Sequence, residues 1–216
     1  MWPTASRATC GGSVGASSVT HVLLDRDGVL NVERAGIAVT EAAHWLWIDG
    51  SRAALAKLLA AGRRVAIATN QSIVGHGLVT PAEVDALHHQ VLAEVAALDF
   101  VLYCPHARDG ACSCRKPAPG LLEEACARWG VAPAEVLFIG DALTDLEASR
   151  AASTRFALVR TGKGAATEAR LAASERAGLW GGRSYADLAE VVADLLAPDE
   201  ADEADEARGR TMTGLP

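Results

Sequence analysis

The chain has 216 residues and a mass of 22.4 kDa; half of its residues are hydrophobic and 22% are charged. This composition suits one globular domain with a sizeable core and excludes a wholly disordered chain, because such chains are poor in apolar residues. Six acidic residues within 199–206 account for most of the net charge of −7, and the remaining 20 basic and 21 acidic residues indicate no nucleic-acid partner.

The sequence carries no sign of a membrane or secretory protein. No run of about 18 apolar residues is present, as a membrane span would require. Residues 1–18 are rich in Ser, Gly, Thr and Ala and lack the apolar stretch of a signal peptide. We therefore expect no membrane partner. We further expect a monomer in the cytoplasm, in which residues 1–18 form a flexible arm.

Five short apolar runs predict β-strands. They show little alternation between apolar and polar residues, which is typical of strands buried on both faces of a parallel sheet. In chain order the predicted strands are 19–24, 65–68, 100–103, 136–139 and 156–159.

Helical patterns lie between and after these strands. Ser51 is predicted to cap the first helix, and Thr80 with Glu83 forms a capping-box pattern around Pro81. The alternation of strands and helices indicates an α/β fold over residues 19–197: a Rossmann-like, doubly wound parallel sheet of about five strands. Residues 198–216 are predicted to form a disordered acidic tail. The predicted helices are 51–61, 81–97, 119–129, 143–152 and 185–196.

Residues of types that can bind phosphate or metal ions follow four of the five predicted strands. In open α/β sheets, ligands bind beyond the carboxyl ends of the strands, so positions far apart in the sequence should meet at one rim. The four residues are Asp25, Thr69, Cys104 and Asp141.

The segment Asp25-Arg26-Asp27-Gly28 places two carboxylates two positions apart, directly after a buried strand. Bringing two carboxylates together without a cation is costly; a Mg²⁺ ion would satisfy them, and Gly28 permits a sharp turn. An ordinary Asp-rich turn explains these residues equally well. A calcium-binding loop fits less well, because the spaced acids and terminal Glu of such loops are absent.

Two further segments offer groups that bind phosphate. Thr69 and Asn70 provide a hydroxyl and an amide at a strand end, where they would hold phosphate oxygens. Helix capping by Thr69 or Ser72 is the more common role of such residues. Arg115 and Lys116 place two cations shortly before a helix. For these cations a solvated pair is the common alternative.

A last acidic segment follows the fourth predicted strand. Asp141 would complete a magnesium site, and Asp145 would brace that site, hold Lys116 or interact with a helix dipole. Together the four segments, within roughly residues 20–163, resemble the haloacid dehalogenase superfamily of phosphohydrolases. That pattern has Asp-x-Asp after the first strand, Ser or Thr after the second, Lys before a later helix and Gly-Asp-x-x-x-Asp after the fourth.

The resemblance implies a phosphatase and a role for each residue. Asp25 is expected to be the nucleophile that forms an aspartyl phosphate, and Asp27 the general acid and base. Lys116 is expected to offset the repulsion between the phosphate and the nucleophile, with Asp145 in support. The residues expected to bind magnesium are Asp25, Asp27 through its backbone carbonyl, and Asp141. The residues expected to bind phosphate or substrate are Thr69, Asn70 and Arg115.

Three cysteines and a histidine form the pattern Cys-x-His-x₅-Cys-x-Cys over 104–114, directly before Arg115. Three thiolates and an imidazole make a closed tetrahedral set, which suits a structural Zn²⁺ ion. A disulfide and an unligated cluster are the alternatives. Five cysteines, an odd number, with four of them between positions 104 and 126, favour metal binding in a reducing compartment. The expected zinc ligands are Cys104, His106, Cys112 and Cys114.

The zinc pattern narrows the resemblance to the zinc-containing histidinol-phosphate and heptose-bisphosphate phosphatases, which have almost no cap domain. The heptose branch usually carries Thr-Asn-Gln-Ser-Gly-Ile-x-Arg-Gly, whereas here Ile73 stands at the Gly position and His76 at the Arg position. A short zinc loop is common in the histidinol-phosphate branch, but residues 159–164 are similar to the heptose branch. We therefore expect a heptose 1,7-bisphosphate or a closely related sugar phosphate as the substrate.

Two alternatives stay open at this point. The enzymatic one is a histidinol-phosphate phosphatase, and the non-enzymatic one is a catalytically silent zinc-binding scaffold. A bisphosphate substrate would need cations for its non-reacting phosphate. Arg115 and Lys163 are the candidates for that contact, with Arg160 a weaker one, and His76 removes one partner that the heptose branch usually offers.

Overall fold

The computed structural model of the chain describes residues 19–34, 39–93, 95, 98–173 and 183–197. The N-terminal arm and the acidic tail that the sequence predicts, residues 1–18 and 198–216, lie outside the described residues. Within them, strands and helices alternate around one six-stranded sheet whose paired strands are all parallel. This architecture confirms the predicted α/β fold.

The sheet has the strand order β3-β2-β1-β4-β5-β6. The first strand therefore lies between β2 and β4, and Leu24 at its end is level with Ile67 and Ile139. Polar residues that follow these three central strands come out at the same edge of the sheet. The strands are β1 (His21–Leu24), β2 (Arg64–Asn70), β3 (Val101–Cys104), β4 (Val136–Gly140), β5 (Arg155–Val159) and β6 (Ser184–Tyr185).

Seven α-helices connect the described strands or flank them. The capping box at Thr80 is confirmed, because its hydroxyl accepts a hydrogen bond from the Glu83 N–H while the Glu83 carboxylate accepts one from the Thr80 N–H. The helices are α1 (Ser51–Ala60), α2 (Ser72–Gly75), α3 (Pro81–Leu92), α4 (Gly120–Trp129), α5 (Leu143–Ala152), α6 (Gly164–Ala172) and α7 (Leu188–Leu195).

Apolar side chains cover both faces of the sheet. Val22 and Leu24 of β1 belong to a core cluster that includes Leu55 of α1 and Leu188 of α7. Leu23, which points to the opposite face, belongs to a second cluster with side chains of α4 and α5. Burial on both faces explains why the strands appear in the sequence as nearly continuous apolar runs.

Four predicted boundaries or elements need correction. Helix α6 and strand β6 were not predicted, and the helix expected over 185–196 begins only at Leu188 because the Asp187 carboxylate accepts a hydrogen bond from the Glu190 N–H and caps it. Helix α3 ends at Leu92 rather than at residue 97. The backbone must leave the helix before Asp99, because the Asp99 N–H donates to the Val65 carbonyl of β2.

The predicted capping role of Ser51 is wrong. Gly50, with a φ of 75°, occupies the N-cap position, and Ser51 is the first residue of α1. The Ser51 hydroxyl instead donates to the carbonyls of Leu30 and Ile48, at 2.9 and 2.7 Å, and so ties the helix to the segment that follows β1. Among the described helices, none is long and apolar enough to span a bilayer.

Candidate active site

Three buried carboxylates meet at the carboxyl end of the sheet. Asp25 directly follows β1, and its N–H donates to the Ile139 carbonyl of β4 at 2.8 Å. Asp141 follows β4, and Asp145 lies in the first turn of α5. One carboxylate oxygen from each of the three residues lies within 4.8 Å of the other two. The structure thus brings together the acids that the sequence places at one rim, close enough for one small cation to contact all three.

Lys116 extends into this group of acids from the segment before α4. Its side chain is only 2% exposed, and its Nζ lies 2.9 Å from Asp25 Oδ1 and 2.7 Å from Asp145 Oδ1. Nζ also donates to the Ala68 carbonyl at 2.9 Å. The alternative of a solvated pair therefore does not hold for Lys116, and Asp145 holds this lysine while its other oxygen accepts from the Ala142 N–H.

Three buried carboxyl groups share this site with one lysine. Burial, which outweighs the Lys116 charge, and repulsion from Asp145 and Asp141 raise the pKa of Asp25 to about 8. Burial and the Asp145 charge likewise raise the pKa of Asp141 to about 7. Although burial disfavours its charge, Asp145 and Asp25 hold the pKa of Lys116 above its ordinary value. These directions indicate a site that favours a further cation.

Glycines surround the carboxylate of Asp141. Gly28 has a φ of 89° and Gly162 a φ of 57°, and a Cβ atom on either residue would collide with Asp141 Oδ2. That oxygen also accepts a hydrogen bond from the Lys163 N–H at 2.7 Å. The two loops therefore fix the direction of the Asp141 side chain, and the Gly162 contact was not predicted from the sequence.

The Asp27 carboxylate lies outside this group of acids and has its own cation. Arg26 donates to both of its oxygens, and the amide groups of Asn31 and Gln71 each donate to one, at 2.9 and 3.0 Å. Burial would raise the pKa of Asp27, but the Arg26 charge and these hydrogen bonds hold it below its ordinary value. The two side chains of the Asp-x-Asp motif thus have different surroundings, and the expectation that Asp27 binds magnesium through its backbone carbonyl stays a prediction.

Thr69 and Asn70 lie at the end of β2, beside Lys116. Thr69 is buried, and its hydroxyl accepts a hydrogen bond from the Gln71 side chain at 3.0 Å. The Asn70 amide exchanges two hydrogen bonds with the Lys116 backbone, each 3.1 Å long. The helix-capping alternative for Thr69 does not hold. Asn70 fixes the peptide that carries Lys116, a contact that the sequence did not predict.

The loop after β3 brings its four candidate zinc ligands together. Sγ of Cys112 lies 3.7 Å from Sγ of Cys104 and of Cys114, and His106 Nδ1 lies 3.4 and 3.3 Å from the latter two. A tetrahedral zinc site with Zn–S bonds of about 2.3 Å has sulfur–sulfur edges of about 3.8 Å. Disulfide bonds, with an S–S length of about 2.05 Å, are absent from these described cysteines. The arrangement matches a closed zinc site.

Comparisons with known proteins identify the family to which the chain belongs. Residues 113–179 match the family model described as HAD-hydrolase-like. The chain is 40% identical over 150 residues to D-glycero-beta-D-manno-heptose-1,7-bisphosphate 7-phosphatase of Pseudomonas aeruginosa, covering 68% of this chain and 84% of that protein. It is 38% identical to the protein of the same name from Bordetella bronchiseptica, covering 81% and 97%. The chain belongs to the heptose-bisphosphate phosphatase family of the haloacid dehalogenase superfamily.

A solved structure agrees with this family membership. The crystal structure of D,D-heptose 1,7-bisphosphate phosphatase from B. bronchiseptica, complexed with magnesium and phosphate, matches with a TM-score of 0.74 and 37% identity. The match covers 82% of this chain and 98% of that chain. The chain is thus a phosphatase, and the hypothesis of a catalytically silent scaffold is not supported. The names of these relatives also do not favour the histidinol-phosphate alternative.

In this member of the heptose-bisphosphate phosphatase family, a cavity of about 790 Å³ opens onto the buried carboxylates of Asp25, Asp141 and Asp145. Helix α6 and the loop of the cysteines form two of its walls, and both contribute cations. Arg160, the weaker candidate for a second phosphate contact, is not among the lining residues and instead pairs with Glu168 at 2.8 Å. The cationic lining residues are Arg108, Arg115, Lys116, Lys163 and Arg170.

The two departures from the family pattern lie on and just after the short helix α2. Gly75, within this helix, packs so closely on the Ala107 N–H that a side chain would not fit there. His76 is exposed and does not line the cavity, so it makes no direct contribution to its charge. Nothing in the structure explains Ile73 at the position where the family usually has Gly.

Proposed function

We propose that this phosphatase removes the 7-phosphate of D-glycero-D-manno-heptose 1,7-bisphosphate or of a closely related sugar bisphosphate. The observation that carries the proposal is the meeting of Asp25, Asp141 and Lys116 below one cationic cavity, in a chain whose relatives are named for this reaction. A cytoplasmic location fits this function, because free thiols that bind metal persist in reducing compartments. The predicted monomeric state stays a prediction.

The residues of the acid group fit a magnesium ion. Hard carboxylate oxygens are its preferred ligands, and a divalent cation would stabilise the charged forms of Asp25 and Asp141, which burial disfavours. The side chains of Asp25 and Asp141 and the backbone carbonyl of Asp27 would hold the ion, with Asp145 in support. When bound, magnesium supplies positive charge that offsets the repulsion between phosphate and nucleophile. The B. bronchiseptica phosphatase is complexed with magnesium and phosphate, which supports this assignment.

In the first step, the Asp25 carboxylate attacks phosphorus. A bond forms between Asp25 and phosphorus while the bond from phosphorus to the sugar oxygen breaks, and Asp27 protonates the leaving alkoxide. Asp27 must enter this step with a proton. The negative charge of the bound phosphate raises its pKa, against the lowering effect of Arg26 in the resting site.

In the second step, water releases the phosphate. Asp27, now a carboxylate, takes a proton from the water while the water oxygen attacks phosphorus and the bond to Asp25 breaks. Asp25 and Asp27 return to their starting states, and the net reaction consumes one water for each phosphate released.

Lys116 and Thr69 bind the phosphate that reacts. Lys116 is aimed at the nucleophile, and it supplies fixed positive charge where the phosphoryl group is transferred. The Thr69 hydroxyl lines the cavity beside it and donates to a phosphate oxygen. Asn70 contributes through the Lys116 backbone that it holds.

The cations of the cavity wall bind the second phosphate of the substrate. Arg115 and Lys163 were predicted for this role, and the structure adds Arg108 and Arg170 to the lining. Lys163 forms an ion pair with Glu33 at 2.5 Å, so a phosphate competes with that carboxylate. One guanidinium group can donate to two phosphate oxygens at once, so Arg108 and Arg115 provide strong phosphate-binding groups on their side of the cavity.

The cysteine loop binds a structural zinc ion through Cys104, His106, Cys112 and Cys114. The matching sulfur–sulfur distances support this assignment, and a set of four protein ligands leaves no position open for catalysis. The loop leads directly into Arg115 and Lys116, and the Arg115 N–H donates to Cys112 Sγ at 3.4 Å. A zinc ion held by these four residues would have a structural effect: it would fix Arg115 and Lys116 at the cavity.

Measured substrate preference tests the proposal. Phosphate release is followed with Mg²⁺ from the heptose 1,7-bisphosphate and from histidinol phosphate, with the Asp25→Asn variant as the inactive control. We expect kcat/KM to favour the heptose bisphosphate by about tenfold or more. Preferential turnover of histidinol phosphate would contradict the substrate assignment.

A further inference from the structure

Arg26 is a buried arginine whose guanidinium faces the Asp27 carboxylate. It is only 2% exposed. Its Nε donates to Asp27 Oδ1 at 3.2 Å, and its Nη2 donates to both Oδ1 and Oδ2 at 2.9 Å. A planar guanidinium that contacts both oxygens fixes the plane of the carboxylate as well as its position. The direction of the Asp27 side chain thus depends on what fixes Arg26.

The other terminal nitrogen of Arg26 contacts His88, which α3 carries to the same place. Arg26 Nη1 lies 3.2 Å from His88 Nε2, and both residues are buried. An arginine can only donate, so Nε2 must accept, and the imidazole must be neutral with its proton on Nδ1. Burial and the Arg26 charge, against a smaller effect of Asp27, lower the pKa of His88 to about 4, which agrees with a neutral ring.

The position of His88 is costly for the fold. Within the described residues, no hydrogen-bond partner faces its Nδ1. A buried donor without a partner costs about 1–3 kcal/mol, and the neighbouring inward positions of α3, Val84, Leu87 and Val91, are apolar. An apolar residue would therefore suit the packing of α3 better than histidine, which indicates that the imidazole serves the contact with Arg26.

We propose that His88 is a positioning residue of the phosphatase reaction: by accepting a hydrogen bond from Arg26 it aligns the guanidinium that holds the Asp27 carboxylate. The inference rests on the proposed role of Asp27 as general acid and base. Loss of the His88 acceptor leaves Arg26 Nη1 buried without this partner. The guanidinium then rotates so that Nη1 can donate to a different acceptor. Asp27 then loses the two-oxygen contact that fixes the plane of its carboxylate and keeps only the hydrogen bonds from Asn31 and Gln71. Asp25, Lys116 and the cationic wall keep their contacts.

Two substitutions separate positioning from packing. His88→Phe keeps a ring of similar shape but removes the acceptor, so we expect kcat on heptose 1,7-bisphosphate to fall by about 10- to 100-fold, with KM within about twofold of the original protein. His88→Gln offers an amide oxygen to Arg26 and should restore kcat to within about threefold. The exposed neighbour provides the control His89→Phe, which should change neither constant.

Equal loss of kcat in the Phe and Gln variants, or a kcat near that of the original protein in His88→Phe, would overturn the proposal. A measurement on the unsubstituted protein keeps the test independent of folding: ¹⁵N chemical shifts should show a neutral His88 with its proton on Nδ1 at pH 7. A ring protonated on Nε2 would overturn the proposal as well. Failure of the proposed role of Asp27 is distinguishable, since Asp27→Asn would then leave phosphate release unchanged. Failure of the proposed function would show as no phosphate release from heptose 1,7-bisphosphate by the unsubstituted protein.

Discussion

Asp141 Oδ2 occupies the space that a Cβ atom on Gly162 would need. Gly28 faces the same oxygen, and the Thr161 hydroxyl donates to the Gly28 carbonyl at 2.6 Å, which joins the two loops. The direction of one carboxylate of the proposed magnesium site is therefore fixed by two residues that have no side chain.

We predict that Gly162→Ala disrupts this site. The added methyl group displaces the Asp141 carboxylate, so Mg²⁺ affinity and kcat/KM should each fall by about 10- to 100-fold. Gly130→Ala is the matched control, because Gly130 has a similar φ of 69° and nothing within 4 Å of an added Cβ. It should lose about 1 kcal/mol of stability from the strained backbone and keep its Mg²⁺ affinity. Equal Mg²⁺ affinity in the two variants, measured by calorimetric titration, would contradict this explanation.

The Lys116→Met variant should lose activity and gain metal affinity. Phosphate release should fall by about 100-fold or more because the fixed charge at the nucleophile is gone. The Mg²⁺ dissociation constant should decrease, since Lys116 no longer competes for Asp25 and Asp145. Lys57→Met, at an exposed position of α1, serves as the control for both measurements. Weaker binding of Mg²⁺ by Lys116→Met would show that the lysine does not compete with the ion.

His88 should make stability depend on pH. Its pKa is about 4 in the folded chain and near 6.5 when unfolded, so between these values the unfolded state binds more protons and stability falls as pH falls. From pH 7 to pH 5 this one group should remove about 2 kcal/mol from the free energy of unfolding, measured in urea. The loss should be smaller by that amount in His88→Phe and unchanged in His89→Gln. Parallel pH curves for all three proteins would contradict the low pKa.

Loss of zinc should destabilise the cysteine loop that forms one wall of the cavity, while Asp25, Asp141 and Asp145 stay in place. Cys112→Ser should reduce bound zinc below about half an equivalent and lower Tm, because a structural site with three ligands binds zinc weakly. Cys126→Ser, which replaces a buried thiol outside the ligand set, should keep one equivalent of zinc. Elemental analysis of both variants decides the point, and full zinc content in Cys112→Ser would rule out the four-ligand assignment.

Much of the site could be predicted because it follows from strand ends. Asp25, Thr69, Cys104 and Asp141 lie at or directly after the ends of apolar runs, and the parallel sheet brings those ends to one edge. The cysteine pattern was found from local spacing, whereas the role of Lys116 was implied by the resemblance to the phosphohydrolase superfamily. Helix α6 was missed because its small residues, such as Ala165 and Ala166, give a weak periodic signal beside the neighbouring loop.

Other parts of the site depend on contacts that no local pattern contains. The Arg26–His88 pair joins the end of β1 to the middle of α3, where a histidine in a helix looks like an ordinary core or surface residue. Gly162 matters only because Asp141 lies against it. Strand β6 has two residues, too few for alternation to be visible, and it exists because β5 offers it an edge.

The most direct test of the account is the detection of the phosphoryl group on Asp25. The protein is mixed with ³²P-labelled heptose 1,7-bisphosphate and Mg²⁺, quenched in acid within one turnover and digested. The account predicts a transient label on the peptide that contains Asp25, and none in Asp25→Asn. Phosphate release at the normal rate by Asp25→Asn, or a label that resides on another peptide, would contradict it.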